Sequence, residues 1–220
     1  MVSTSLIFLL LTVWQIAAGN ILGPIGVLCL QGDFREHLAV LAELGIPSVR
    51  VRKPSDLIGI AGLIIPGGES TVIDKLSKIY DLRDPIKKLI QSGLPVFGTC
   101  AGLIMLSARF TGGPADQESF GGLDVTTSRN AFGSQTDSFE TVLDFEGIPE
   151  PIKVAFIRAP LVTEVGAGVQ VLASLEDGKV VGVRQGNLLG ISFHPEVTGV
   201  TEVHKYFVEM CKTANFASTN

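Results

Sequence analysis

Apolar positions in the first half of the chain fall in short blocks separated by segments of helical spacing. Ile25 to Leu30 is almost wholly apolar, as expected of a parallel strand covered on both faces. Gln31-Gly32 ends it, and Asp33 can cap a helix running to Leu44, on which Leu38, Leu41 and Leu44 recur before Gly45-Ile46-Pro47 stops it. Ser48 to Arg52 predicts a second strand, Asp56 to Ile60 a short turn or helix, and Ala61 to Ile65 a third strand. Pro66-Gly67-Gly68-Glu69-Ser70-Thr71 is a glycine-rich loop feeding a helix from about Thr71. A further helical pattern spans Leu82 to Gln91, and Gly93 closes it before a strand that ends in Cys100. Alternation of this kind predicts βαβ units and a parallel sheet, with ligands gathering at the carboxyl ends of the strands. Three segments fall at such ends: Gln31-Gly32, Gly67 to Ser70, and Cys100.

Beyond Ala108 the pattern turns β-rich. Gly112-Gly113-Pro114 and Gly121-Gly122 punctuate a loop, and Leu123 to Ser128, Ser138 to Phe145 and Ile152 to Ile157 follow as strand-like runs. Val169 to Leu175, Val180 to Arg184 and Leu188 to Phe193 add three more, joined by Asp177-Gly178 and Gly186-Asn187 turns of hairpin type. A final helix, about Thr201 to Thr213, carries Val203, Phe207, Val208 and Met210 toward the core. The expected fold is α/β, a mostly parallel central sheet flanked by helices, with antiparallel strands in the C-terminal half. No repeat, low-complexity tract or linker interrupts it, so residues 24–214 read as one domain, with a leader at 1–23 and a tail at 215–220.

Composition narrows the function. A net charge of −5 with no basic run speaks against nucleic acid as a partner. Three cysteines, Cys29, Cys100 and Cys211, are an odd number without CxxC spacing, which disfavours both a disulfide framework and a zinc site. Free thiols point to a reducing compartment, so a cytoplasmic location is expected. The leader disagrees: Leu6 to Trp14 is apolar and Ile16-Ala17-Ala18-Gly19 follows, in the form of a signal-peptide core with small residues after it. Yet Met1 to Ser5 carries no Lys or Arg, and the run is shorter than the ~20 residues of a spanning helix. Export and membrane association stay open as lesser alternatives, beside a misplaced start or an extra packing segment; no stable membrane association is expected.

The candidate chemistry starts at Gly98-Thr99-Cys100-Ala101-Gly102. A cysteine held in a glycine-flanked turn between a strand and a helix has the form of a nucleophile elbow with sulfur in place of oxygen. At a helix N-terminus the dipole and free N–H groups favour thiolate and can receive an oxyanion. A buried core cysteine beside a tight turn is the alternative. His194-Pro195-Glu196 also ends a strand, and can supply a base with a carboxylate to orient it. His37 and His204 lie in helical patterns, where packing or surface roles are expected.

Together these two motifs resemble the class I (triad) glutamine amidotransferases. Leu30-Gln31-Gly32, Arg35-Glu36-His37, Pro66 to Thr71, Ser128-Arg129-Asn130-Ala131-Phe132-Gly133, Asp137-Ser138-Phe139-Glu140 and Phe156-Ile157-Arg158-Ala159-Pro160 extend the likeness to one branch, the glutaminase subunits of pyridoxal 5′-phosphate synthase. The resemblance covers about Ile25 to Lys212, and only the leader departs from it. It implies a three-layer sandwich and hydrolysis of L-glutamine by Cys100 as nucleophile, His194 as proton carrier and Glu196 as its orienting partner. It also implies an oxyanion hole from the backbone N–H groups of Gly68 and Ala101, and contacts to glutamine from Gly68, Glu69, Ser70, Arg129, Ile157 and Arg158. Gln31 can position the oxyanion loop, or be a simple turn residue. Taken alone, Glu69 and Ser70 also fit a helix cap, and Arg129 and Arg158 ordinary surface charges. The implied partner is a (β/α)₈-barrel synthase subunit in a large hetero-oligomer, which receives ammonia and completes the oxyanion hole on docking. No cofactor and no metal are implied for this chain. The competing expectations are a stand-alone γ-glutamyl hydrolase and a catalytically silent regulatory subunit.

Overall fold

A computed structural model describes residues 23–129 and 138–214. The leader apart from Gly23, the Asn130 to Asp137 part of the motifs quoted above, and the tail from Asn215 on all lie outside the described residues. The first half forms β1 (Ile25–Leu28), α1 (Phe34–Glu43), β2 (Ser48–Val51), a 3-10 turn (Pro54–Leu57), β3 (Gly62–Ile65), α2 (Ser70–Ile79), α3 (Arg83–Gln91), β4 (Val96–Thr99) and α4 (Ala101–Leu106). Then follow β5 (Ser107–Thr111), β6 (Leu123–Ser128), β7 (Phe139–Phe145), β8 (Ile148–Phe156), β9 (Leu161–Val165), β10 (Gln170–Ser174), β11 (Val180–Gln185) and β12 (Leu188–Ile191). Two helices close the chain, α5 (Pro195–Thr198) and α6 (Glu202–Thr213).

The main sheet runs β2-β1-β3-β4-β12-β11-β9-β6-β5, with β10 added on β11. From β2 to β12 every neighbour is parallel, and β12 joins β4 in that sense through Leu188↔Val96 to Ile191↔Thr99. From β12 through β11 and β9 to β6 the pairing is antiparallel. This is the mixed α/β architecture expected, with the antiparallel strands confined to the second half of the chain. β7 and β8 form a separate antiparallel ribbon.

Both faces of the parallel strands are covered, which explains why their sequences do not alternate with polar residues. Ile25, Val27, Ile64 and Phe97 enter one core cluster with Leu41 of α1, Val203 and Phe207 of α6, and the β7–β8 ribbon. Leu28, Leu63, Ile65 and Val96 enter the other with Ile73 of α2, Ile86 of α3 and Leu103 of α4. The result is helix, sheet, helix. Each fully buried Leu, Ile or Phe contributes roughly 1.5–3 kcal/mol by leaving water.

Two strands escape the sequence pattern. β5 follows directly on α4 at the edge of the sheet, and only its first residue is buried. β9 has its two buried residues side by side rather than alternating. Neither shows the period-2 signal that a half-buried strand normally carries. Asp177-Gly178 also sits in a longer connection, since Ser174 pairs with Val180. Among the described residues no helix is long and apolar enough to cross a membrane.

Candidate active site

The loops after β1, β3, β4 and β12 converge at one end of the parallel strands, where β1 lies between β2 and β3 and the chain direction of successive crossovers reverses. Cys100 stands between β4 and α4 with φ 48° and ψ −102°, a conformation non-glycine residues avoid. The surrounding close packing holds it there. A Cβ on Gly102 would lie 2.0 Å from the carbonyl oxygen of Ile65, so only glycine lets α4 start this close to β3. Arg158, just beyond β8, is another of the few non-glycine residues with positive φ, at 46°. Cys100 is buried, and its Sγ lies 3.9 Å from the carbonyl oxygen of Ile157.

His194 follows β12 and is 3% exposed, with Nδ1 2.8 Å from Glu196 Oε1. Burial alone would lower its pKa. Hydrogen bonds to Cys100 and Glu196, and the charge on both, outweigh that and bring it to about 10. Burial pushes the Glu196 carboxyl up, against the pull of His194. Pro195 at the first turn of α5 fixes the backbone between the two side chains. Both neighbours thus favour the protonated form of this imidazole.

Asp33 departs from expectation. It precedes α1, but its side chain makes no cap hydrogen bond. Its Oδ2 lies instead 3.4 Å from His194 Nδ1, while its backbone N–H donates to the carbonyl of Gly67 at 3.2 Å. Asp33, His194 and Glu196 bring one potential ligand atom each within 4.8 Å of one another. Within that cluster His194 Nδ1 is engaged with Glu196 Oε1 at 2.8 Å.

At the mouth, Gly68 has φ 144°, and a Cβ there would meet Gln31 Oε1 at 2.4 Å. Gln31 Oε1 accepts from the backbone N–H of Glu69 at 2.8 Å, so it holds the glycine loop from behind. Glu69 is the N-cap of α2, accepting from the N–H of Thr71 at 3.2 Å, and also receives Arg129 Nη2 at 2.7 Å. Burial works against ionisation of Glu69, yet Thr71 and Arg129 hold its carboxyl below the usual range. Arg129 Nη1 donates to Gln117 Oε1 at 2.8 Å, and Gln117 Nε2 donates to the buried Ser70 Oγ at 3.0 Å. Ile157, whose carbonyl oxygen is the one near Cys100 Sγ, and Arg158 are both exposed. The capping role of Glu69 and its ion pair therefore coexist. Gln117, which links Ser70 to Arg129, carries no recognisable signal in a loop of Gly, Pro and Asp; nor does the site contact of Asp33.

Residues 27–213 match the SNO glutamine amidotransferase family. A pyridoxal 5′-phosphate synthase subunit PdxT of Clavibacter michiganensis subsp. michiganensis is 56% identical over 194 residues, covering 87% of this chain and 93% of its own length. The PdxT of a Nocardioides species is 52% identical over 190 residues, covering 84% of this chain and 94% of its own length. A crystal structure of a glutamine amidotransferase superposes with a TM-score of 0.81 at 47% identity, covering 86% of this chain and 99% of that one. A chain of PurLQS from Thermotoga maritima, 17% identical and covering 85% of this chain and 98% of its own, shares the fold at a TM-score of 0.60.

Proposed function

The chain belongs to the SNO glutamine amidotransferase family, and from that premise we propose that it is the glutaminase subunit of a pyridoxal 5′-phosphate synthase, hydrolysing L-glutamine and supplying the ammonia. The observation that supports this most is the alignment of Cys100, His194 and Glu196 at the carboxyl end of the parallel strands, with the cysteine on a strained strand-to-helix turn.

Cys100 Sγ attacks the side-chain amide carbon of glutamine, and the carbonyl electrons collect on an oxyanion facing the N–H groups of Gly68 and Ala101. When the tetrahedral adduct collapses, the C–N bond breaks and His194 gives its proton to the departing ammonia. A glutamyl thioester is left. With the thiolate charge gone, one of the influences that raised the His194 pKa is gone too, so the imidazole becomes a base suited to deprotonate water. Water then releases glutamate and restores the thiol. Glu196 holds the imidazole throughout. The amino-acid end of glutamine, with one positive and one negative group, calls for both an anion and a cation, which Glu69, Arg129 and Arg158 offer beside Gly68, Ser70 and Ile157.

Ammonia released into water would be protonated and lost to the synthase chemistry, so we assign a sealed interface with the barrel partner. The Gly67-Gly68 loop, buttressed by Gln31, is the element whose exact conformation docking would adjust. The free, buried thiols of Cys29 and Cys211 suit the reducing cytoplasm, where we place the complex.

The test is glutamate and ammonia release from glutamine, with and without the barrel synthase. Release that needs the synthase and is absent in Cys100→Ala is the expected result. Equal release without the synthase would replace this reading with a stand-alone hydrolase, and none in either condition would leave a regulatory role.

A further inference from the structure

Behind the carboxylate of Glu196 lies a row of buried groups that the hydrolysis just described does not use. His37 on α1, Thr99 at the end of β4 and His204 on α6 are all fully buried. His37 Nδ1 lies 2.9 Å from His204 Nε2, and His37 Nε2 lies 3.2 Å from Thr99 Oγ1 and 3.6 Å from Glu196 Oε1. The edges and faces of both imidazoles meet Phe97 at near right angles, with centroids 6.2 Å and 5.6 Å away. Both rings are neutral: burial takes His37 well below the usual imidazole range and His204 to about 4.

The far end of the row tells which nitrogens carry protons. His204 Nδ1 is buried without a hydrogen-bond partner among the described residues. Orphaned buried N–H groups are rarer than under-used acceptors, so Nδ1 is the bare nitrogen and Nε2 bears the proton. That N–H can only donate to His37 Nδ1, which must then be bare as well. The proton of His37 therefore sits on Nε2, turned toward Thr99 and Glu196.

We propose that His37, its tautomer set by His204, is a positioning residue that presents an N–H to Glu196 and so keeps this buried carboxylate ionised and directed at His194. The proposal rests on the triad reading above. Glu196 needs such help, because burial opposes its charge. The groups facing it are Asp33 before α1 and His37 on α1, and His194 on its own loop. Asp33 adds to the opposition, His194 counters it, and the His37 N–H approaches the same Oε1 that His194 holds. Hydrogen-bond orientation thus passes from α6 through α1 to the triad.

The experiment is the pH profile of kcat/KM for glutamine in the complex with synthase, for wild type, His37→Leu and His37→Gln. In His37→Leu the acid limb moves up by about one pH unit as Glu196 protonates earlier, with KM at the optimum little changed. His37→Gln, which retains an amide N–H, brings the limb back. A packing role alone would lower the melting temperature and active fraction without moving the limb. A folded His37→Leu whose limb coincides with wild type, or a Gln variant that shifts as Leu does, overturns the proposal. With only three histidines in the chain, ¹⁵N-edited NMR supplies an arm independent of activity. It should read the Nε2–H tautomer at His37 and His204 across neutral pH, and an Nδ1–H tautomer at His37 overturns the relay whatever the turnover. Loss of Cys100-dependent release in wild type would instead sink the glutaminase reading, with the tautomer result standing or falling separately.

Discussion

The two sides of His194 are built from opposite materials. On the mouth side, Glu69 and Arg129 form an ion pair at 2.7 Å that reaches solvent, and Gln117 and Ser70 extend it as a polar network. On the back side, His37, Thr99 and His204 are fully buried, and the imidazoles are uncharged. The histidines make the contrast sharpest. His194 and His204 are both buried, yet one is raised to about 10 and the other lowered to about 4. Burial works downward on both, so it cannot be the deciding influence. His194 faces a thiol and a carboxylate, whereas the neighbours of His204 are a neutral imidazole and the ring of Phe97. Partners, not depth, set the charge of a buried histidine here.

The most severe way to test this division is to remove the group on which both sides converge. Cys100→Ala should lower turnover in the complex by about 10⁴-fold or more while the chain stays folded by circular dichroism. On the mouth side, Arg129→Ala should cost about 10- to 100-fold in kcat/KM, chiefly through KM, because a charged contact to substrate is lost while the reacting atoms are untouched. A fall in kcat at constant KM would show instead that Arg129 acts on the back side.

On the back side the expected effect is on stability against pH. The pKa of His204 is about 4 in the folded chain and 6.5 when unperturbed. Between those values the unfolded chain binds a proton that the folded chain refuses, so stability rises with pH across the window. The contribution is fully present above about 6.5 and is lost as pH falls toward 4, amounting to about 3 kcal/mol at full extent. His204→Phe should therefore flatten the loss of stability between pH 6.5 and 4.5, read by urea unfolding. Equal losses in variant and wild type would mean that His204 is not the buried neutral group described. The smallest effect belongs to a pair on neither side. Lys153 and Glu140 on the β7–β8 ribbon are both more than half exposed, and Lys153→Ala should change stability by less than about 0.5 kcal/mol.

Much of the front is readable from the chain alone. The apolar blocks at Ile25, Ala61 and Leu94 mark strands buried on both faces, and the glycine-flanked Cys100 and His194-Pro195-Glu196 mark strand ends, because each depends on residues within a few positions of one another. The back is not readable for the converse reason. His37 and His204 are 167 residues apart, and each alone is a histidine on an amphipathic helix. Gln117 and Asp33 are equally silent, since loop residues gain their meaning from what folds against them. β5 and β9 escape notice because an edge strand, or one with adjacent buried residues, lacks alternation.

Local pattern was thus sufficient for the layered α/β scaffold, the succession of its elements along the chain, and the identity of the candidate thiol, imidazole and carboxylate. These follow from short-range rules of burial and backbone conformation that act on neighbours in sequence. Tertiary packing alone decided which histidine is charged, which nitrogen of His37 bears the proton, and that Asp33 also approaches His194. Those properties are set by desolvation and by charges brought together from distant segments, and neither exists until the sheet and its two helical layers have closed around them.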